Sequence, residues 1–206
     1  MNYETLIFDL DGTLYHQLPV RIFMAVWMIM HYVLRPMKYR ELLAVLKYRE
    51  LREKLFRNDD EDFHARQINE TSRIFGLRPD ETERIINSWM NNKPLKLVKT
   101  FRRKKLLSKL KELQTSGKII IVYSDYPVKE KLRALNFEPD KYYWSNDGFI
   151  NCMKPSASGL LRIIRELKLN AQNILYVGDR YDRDGECAGR AGIDYADVKE
   201  FVKNFC

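Results

Sequence analysis

Short apolar runs alternate with helix-like patterns along most of the chain. Residues Thr5–Phe8 form a run that favours a β-strand, and similar runs occupy residues 118–127 and 173–184. Between the last two, residues 156–169 carry apolar side chains at the spacing of an amphipathic helix. Because strands that alternate with helices build parallel sheets, this pattern predicts an α/β fold.

The chain between the first two strand-like runs is far longer than a crossover between neighbouring strands needs. Residues 16–96 have helical patterns throughout. The helices are expected near residues 20–34, 38–57, 60–76 and 80–92, with breaks at Pro36, residues 58–59 and Pro79.

A chain of 206 residues with 45% hydrophobic side chains has ample material for a buried core. We expect residues 1–15 and 97–206 to form a Rossmann-like three-layer core around a parallel sheet. Residues 16–96 are expected to form a second, α-helical domain inserted into that core.

Residues 22–34 of the insertion are apolar all round and are flanked by Arg21 and Arg35. At 13 residues, this segment is shorter than the ~20 residues that a membrane-spanning helix needs. A buried helix is the expected structure, and an interfacial helix at a membrane surface is the alternative. Its three methionines would suit an adaptable substrate pocket.

Two carboxylates, Asp9 and Asp11, stand where the first strand should end. Side chains alternate along a strand, so the two can face one site only if the chain leaves strand geometry near Leu10. Gly12 permits that break, and the sequence Asp-Gly-Thr is a strong turn signal. In a parallel sheet, ligands bind beyond the carboxyl ends of the strands, where this pair would emerge.

The later apolar segments end in, or follow, polar residues that suit the binding of a phosphate or a metal ion. Ser124 ends the second strand-like run, and its hydroxyl suits a phosphate oxygen. Lys154 precedes the amphipathic helix, where its ammonium would attract an anion or pair with a carboxylate. The third run ends in Asp179, Asp182 and Asp184. Clustered carboxylates beside a phosphate site need a cation, and oxygen-only ligands point to Mg²⁺.

These segments, in this order, resemble the haloacid dehalogenase superfamily, over roughly residues 3–15 and 100–200. The resemblance implies that Asp9 is the nucleophile, taking up a phosphoryl group as an aspartyl-phosphate, and that Asp11 is the general acid and base. It implies phosphate binding by Ser124 and Lys154. It further implies that Mg²⁺ is held by Asp9, the main-chain carbonyl of Asp11, Asp179 and Asp184. Residues 16–96 then correspond to the family's helical cap domain, which closes over the site.

The acid at position 11 favours phosphoryl transfer, because the dehalogenase branch of the superfamily typically lacks it. The expected activity is therefore a Mg²⁺-dependent phosphatase acting on a small phosphorylated metabolite. A phosphomutase using Asp9 and Asp11 is one alternative. A non-catalytic adaptor that binds a membrane surface or nucleic acid through a basic cap is another, although no recognised nucleic-acid motif accompanies the charge.

Two further acids, Asp182 and Asp125, lie close to the motif residues. Asp182 lies between the two motif acids and is interpreted as an exposed loop residue, with metal binding as the alternative. Asp125 follows Ser124 and is interpreted as a helix-start residue that turns away from the phosphate site.

Charge and cysteine content bear on partners and compartment. Residues 16–103 hold 18 Lys and Arg against 11 Asp and Glu, so most of the net charge of +8 surrounds the helical insertion. Such a surface would attract anionic substrates, although a solvated helical face explains the charge equally well.

The three cysteines show no metal spacing and fit a reduced, cytoplasmic compartment, and no signal peptide is expected. The oligomeric state is left open.

Overall fold

The computed structural model describes residues 3–55 and 63–206, with the backbone alone for residues 53–55. Its strands form one five-stranded parallel sheet in the order β3-β2-β1-β4-β5. The strands are β1 Thr5–Phe8, β2 Ile119–Ser124, β3 Lys141–Trp144, β4 Ile174–Gly178 and β5 Asp194–Asp197. The predicted α/β fold with a parallel sheet is confirmed, and β1 lies at its centre.

Helices cover the sheet and fill the long connection between β1 and β2. The connection holds α1 Gln17–Val33, α2 Tyr39–Leu55, α3 Phe63–Phe75, α4 Pro79–Ile86 with a π-turn at Asn87–Asn92, and α5 Leu95–Thr100. Helix α6 Lys104–Thr115 completes this connection, and the helices after β2 are α7 Lys129–Leu135, α8 Ser158–Glu166, α9 Glu186–Ala191 and α10 Val198–Phe205. The breaks predicted at Pro36 and Pro79 are observed, and the one predicted at residues 58–59 lies outside the described residues.

The alternation of side chains along β1 divides the core into two layers. Leu6 and Phe8 point to one side of the sheet and pack with apolar side chains that include Phe201. Ile7 points to the other side and packs against Ile121 and its neighbours. All three β1 side chains are fully buried, as expected for the central strand of a sheet covered on both faces.

The helical insertion has an apolar cluster of its own, built around Tyr32 and Trp89. The indole Nε1–H of Trp89 donates a hydrogen bond of 2.9 Å to the Tyr32 hydroxyl. The connections into and out of the insertion lie side by side, because Tyr15 and Arg102 form an antiparallel bridge. A helical unit with its own core and two adjacent connections is the arrangement expected of a separately inserted domain.

Helix α1 forms where residues 20–34 were predicted to be helical, but its burial differs from the prediction. Of its 17 residues only Val20 and Tyr32 are buried, and much of its apolar surface is exposed. The expectation of a buried helix is therefore wrong. The reason is packing: one side of α1 contacts α2, α5 and the ring of Trp89, and the apolar side chains on the opposite side are exposed.

Candidate active site

The carboxyl ends of three neighbouring strands carry the candidate site. Asp9 follows β1, Ser124 ends β2 and Asp179 follows β4. The backbone N–H of Asp9 donates to the carbonyl of Val177 at 2.9 Å, which extends the pairing of β1 with β4 as far as the acid. Parallel strands bring their carboxyl ends to one edge of the sheet, so residues far apart in sequence meet there.

Asp9 is buried and both of its carboxylate oxygens have partners. Lys154 Nζ donates to Asp9 Oδ1 at 2.6 Å and to Asp184 Oδ1 at the same distance, and Thr13 Oγ1 donates to Asp9 Oδ2 at 3.1 Å. Burial opposes the charged form of Lys154, but Asp184 and Asp9 outweigh burial and raise the pKa of Lys154 well above its ordinary value. Lys154 is thus a permanent buried cation beside the candidate nucleophile. It lies in the loop before α8 and points at the carboxylates.

Asp11 faces a different cation, as the predicted break after β1 allows. Gly12 has a φ of +103°, and the chain turns there. Lys131 Nζ, from α7, donates to the two oxygens of Asp11 at 2.6 and 2.8 Å, and the Tyr15 hydroxyl donates to Oδ1. Burial alone would raise the pKa of Asp11, but Lys131 and Tyr15 outweigh it and hold the pKa below its ordinary value. Lys131 and Tyr15 therefore favour the ionised form of Asp11.

Lys131 and Tyr15 were not among the predicted site residues. Tyr15 stands four residues after Asp11, a spacing that a turn brings into contact, so a weak signal existed. Lys131 lies in a short helix 120 residues away and is one of several lysines in that stretch, with no local mark of its contact.

Three carboxylates meet at a candidate metal site. Oxygens of Asp9, Asp179 and Asp184 lie within 4.8 Å of one another. Burial and then the charge of Asp184 raise the pKa of Asp179 to about 6. Lys154 is the cation that touches two of these acids, so one ammonium faces three carboxylates. A divalent cation would correct that imbalance, and an all-carboxylate donor set suits Mg²⁺.

Two glycines make room for the acids of this cluster. A Cβ on Gly12 would lie 2.1 Å from Asp179 Oδ2, and a Cβ on Gly178 would lie 2.4 Å from Asp184 Oδ2. The carboxylates therefore occupy space that any side chain at these two positions would fill.

Ser124 and Asp125 occupy the loop after β2. Ser124 is buried in the candidate pocket, and its hydroxyl accepts from the backbone N–H of Tyr126 at 3.2 Å. The prediction that Asp125 begins a helix is wrong, since α7 begins at Lys129. Asp125 is instead buried and accepts from Ser145 Oγ, the backbone N–H of Lys154 and Arg183 Nη1. It thereby holds the Lys154 loop against the end of β2.

Asp182 has the exposed position expected of a loop acid. Its carboxylate pairs with Arg180 Nη2 at 2.6 Å and lies outside the three-carboxylate cluster of the described residues.

A cavity of about 120 Å³ is lined by all six predicted site residues: Asp9, Asp11, Ser124, Lys154, Asp179 and Asp184. Arg21 from α1 and Arg49 from α2 line it from the side of the helical insertion, and Arg180 and Arg183 line it from the core. The lining of the pocket therefore combines carboxylates with four guanidinium groups.

Comparison with known proteins identifies the family. A model of haloacid dehalogenase-like hydrolases matches residues 6–198. The chain belongs to this family. It is a hydrolase-type α/β domain, and the sequence-based assignment to the haloacid dehalogenase superfamily is confirmed. A comparison with curated proteins found no match to this chain.

Solved structures of several family enzymes share the fold. A 2-haloacid dehalogenase from Pseudomonas syringae is 18% identical, with a TM-score of 0.62 over 94% of this chain and 85% of that one. A putative hydrolase, YfnB from Bacillus subtilis, bound to magnesium, is 14% identical, with a TM-score of 0.62 over 95% and 88%. A predicted phosphoglycolate phosphatase from Haemophilus somnus is 17% identical, with a TM-score of 0.57 over 95% and 84%.

Proposed function

We propose that this family member is a Mg²⁺-dependent phosphatase that hydrolyses a small phosphomonoester through an aspartyl-phosphate on Asp9. The observation that carries the proposal is the separation of two acids that are neighbours in sequence. Asp9 contacts Lys154 and the metal-site acids, whereas Asp11 is held by Lys131 and Tyr15. One acid is thus placed to form a covalent bond and the other to move protons.

In this proposal Asp9, Asp179 and Asp184 hold the metal, with the main-chain carbonyl of Asp11 as a further ligand. When bound, Mg²⁺ would supply positive charge that lowers the repulsion between an anionic nucleophile and an anionic phosphate. The magnesium in the structure of the Bacillus subtilis relative supports the choice of ion.

In the first step, a carboxylate oxygen of Asp9 attacks phosphorus, and the bond from phosphorus to the leaving oxygen breaks. Asp11 gives a proton to that oxygen, so the product leaves as an alcohol. Lys154 compensates charge beside Asp9, and the Ser124 hydroxyl donates to a phosphate oxygen.

In the second step, Asp11 takes a proton from water, which attacks phosphorus and breaks its bond to Asp9. Asp11 acts here as an ionised carboxylate, the form that Lys131 and Tyr15 favour, and the proton it takes up is the one it gives to the leaving oxygen in the next turnover. Phosphate is released, and Asp9 returns as a carboxylate.

We propose residues 16–96 as a cap over this site. Arg21 and Arg49 reach the pocket from the insertion, so the cap contributes cationic groups that would orient a phosphate or a second anionic group of the substrate. The cavity of about 120 Å³ is smaller than the ~300 Å³ typical of ligand pockets, so we expect the cap to move when a substrate binds.

The related enzymes define the competing reactions. The relative from Pseudomonas syringae is a 2-haloacid dehalogenase. A phosphomutase would use the same acids and return the phosphoryl group to its substrate. The carboxylate at position 11, buried against an ammonium, favours phosphoryl transfer because a dehalogenase reaction has no leaving oxygen to protonate.

A product assay on the wild-type protein separates these reactions. Free phosphate is measured with a panel of phosphomonoesters, halide with 2-haloacids, and rearranged phosphoester with sugar phosphates, each with Mg²⁺ and with chelator. The proposal expects phosphate release that disappears with chelator. Halide release without phosphate release would overturn it, and rearrangement without free phosphate would favour the mutase.

A further inference from the structure

Helix α1 carries a continuous apolar surface that the proposed catalysis does not use. Leu18, Ile22, Val26, Ile29 and Val33 recur at intervals of three or four residues and so lie along one side of the helix. Met37 continues this surface in the turn after α1. We call these six side chains the α1 face. Their exposed fractions run from 51% at Val26 to 91% at Met37.

A second row of exposed side chains widens this surface. Phe23, Trp27, Met30 and Leu34 are exposed by 44% to 79%. Together the two rows present an apolar surface on the order of 1,000 Å², whereas ordinary monomers expose patches of roughly a few hundred Å². Thirteen of the 20 large apolar side chains exposed in the described residues lie between residues 18 and 46, so the exposure is concentrated here.

The charged side chains of α1 and the turn after it are basic, up to the ion pair that Lys38 forms with Glu41 at 2.8 Å. Residues 12–40 contain no Asp or Glu, and they include Arg21, Arg35, Lys38 and Arg40. The ammonium of Lys93 lies 3.2 Å from the ring centre of Trp89 and 5.6 Å from that of Trp27, which adds a further cation at the edge of the face. An apolar surface with a cationic border complements a layer that is apolar inside and anionic at its surface.

The length and composition of α1 also fit a position at the surface of a bilayer. In the described residues no single helix is long and apolar enough to cross a membrane. The helices Gln17–Val33 and Pro36–Arg52, which are bent by 117° at the break between them, reach that length and apolar composition only when taken together. A helix of 17 residues is about 25 Å long and suits a position in the plane of the interface. Trp27, half exposed and bordered by cations, has the composition of the interfacial region.

A second copy of this chain fits the face less well. Two α1 helices packed around a two-fold axis would bring Arg21 and Arg35 of one copy near the same cations of the other, with no carboxylate in residues 12–40 to pair them. A protein partner would be held in part by hydrogen bonds across the interface, whereas the side chains of residues 22–30 offer one polar group, the Trp27 indole.

We propose that the α1 face binds the surface of a membrane that contains anionic lipids. The helix lies in the interface, its apolar side chains enter the outer part of the acyl layer, and the flanking Arg and Lys contact lipid headgroups. Gln17 and Arg21 at the start of α1 line the catalytic pocket, so this docking would hold the pocket next to the bilayer. The proposal does not depend on the phosphatase activity.

The test is flotation of the full-length protein with vesicles of phosphatidylcholine alone and of phosphatidylcholine mixed with phosphatidylglycerol. The apolar variant is Ile29→Gln with Val33→Gln and Met37→Gln, and its control is Ile74→Gln with Leu161→Gln, two exposed apolar side chains elsewhere. The charge variant is Arg35→Gln with Lys38→Gln, and its control is Lys104→Gln with Lys105→Gln on exposed positions of α6.

Binding to the anionic vesicles is expected, with partitioning reduced at least about tenfold by the apolar variant and about fivefold per basic residue by the charge variant. The control variants should bind like the wild type. No binding to either vesicle would overturn the proposal, and so would equal binding by the apolar variant and its control. A lipid-free dimer that the apolar variant dissociates would assign the face to a second copy instead.

A second measurement uses the wild-type protein, so its result does not depend on whether the substituted variants fold. Trp27 fluorescence should shift to shorter wavelength on addition of anionic vesicles and be quenched by brominated lipid, and Trp27→Phe should remove that signal. Emission that does not change with anionic vesicles would contradict insertion of the face.

Discussion

Lys131 separates the roles of two acids that lie two positions apart. The sequence is sufficient to indicate Asp9 and Asp11, because both follow a buried strand. It is also sufficient for Ser124, Lys154, Asp179 and Asp184, which follow later strands or precede a helix, and the structure brings all six together. Their catalytic roles stay predictions. The contacts of Lys131 could not be predicted, because they depend on how α7 packs beside the β1 loop.

Replacing Lys131 with Met tests the role of this contact. The substitution keeps the aliphatic stem and removes the ammonium that holds Asp11, so we expect kcat for phosphate release to fall by about 10- to 100-fold. Lys129→Met, on an exposed position of the same helix, is the control and should retain wild-type kcat. Equal kcat values for the two variants would show that Asp11 works without Lys131.

Gly12 is expected to be required for its lack of a side chain as well as for its backbone conformation. Gly12→Ala would press a Cβ against Asp179, 2.1 Å from Oδ2, and should abolish most Mg²⁺-dependent activity. Gly117→Ala is the matched control, because Gly117 has a φ of +87° and no atom within 4 Å of the added Cβ. Both variants should lose about 1 kcal/mol of unfolding free energy from backbone strain. An active Gly12→Ala enzyme would contradict this account.

At the scale of elements, the interior strands and the helices of the insertion follow from the sequence, and the edge strands do not. Strands β1, β2 and β4 are buried apolar runs that periodicity detects. Strands β3 and β5 have four residues each, with sequences KYYW and DYAD and side chains that are exposed or half-buried. Their pairing with β2 and β4 defines them, and that information is not local. The exposure of α1 was missed for a similar reason, since an apolar segment does not reveal whether anything covers it.

Arg52 links α2 to the loop that follows β2. It is buried, its guanidinium donates to the carbonyl of Asp125, and it lies 4.6 Å from the centre of the Tyr126 ring. Arg52→Met should lower the unfolding free energy by about 1.5–3 kcal/mol, measured by chemical denaturation. Arg40→Met, at an exposed position of α2, should cost less than about 0.5 kcal/mol. Similar losses in both variants would argue against a specific link through Arg52.

For the whole molecule, the three apolar clusters and the adjacent connections at Tyr15 and Arg102 indicate a helical unit that meets the core around the carboxylate site. A cation at that site would stabilise the folded chain, since the unfolded chain lacks the cluster. At a Mg²⁺ concentration of about 100 times Kd, the gain is about 2.7 kcal/mol, or roughly 5–10 °C in Tm for a chain of this size.

Melting curves with Mg²⁺ and with chelator test this expectation. The shift should be present in the wild type and in Asp182→Asn, whose carboxylate pairs with Arg180, and absent in Asp179→Asn. A full Mg²⁺-dependent shift in the Tm of Asp179→Asn would show that the cation binds at a different site.

The covalent step on Asp9 is the central claim, and one measurement tests it most directly. An aryl phosphate has a leaving group that needs no proton, so in Asp11→Asn the first step should proceed while the second, which needs a base, is slow. After acid quench of Asp11→Asn with p-nitrophenyl phosphate and Mg²⁺, mass spectrometry should find one phosphoryl group on the peptide that contains Asp9. The same treatment of the Asp9→Asn, Asp11→Asn double variant should leave that peptide unmodified. A phosphoryl group on another peptide, or nitrophenol release by the double variant at the rate of Asp11→Asn, would contradict the account.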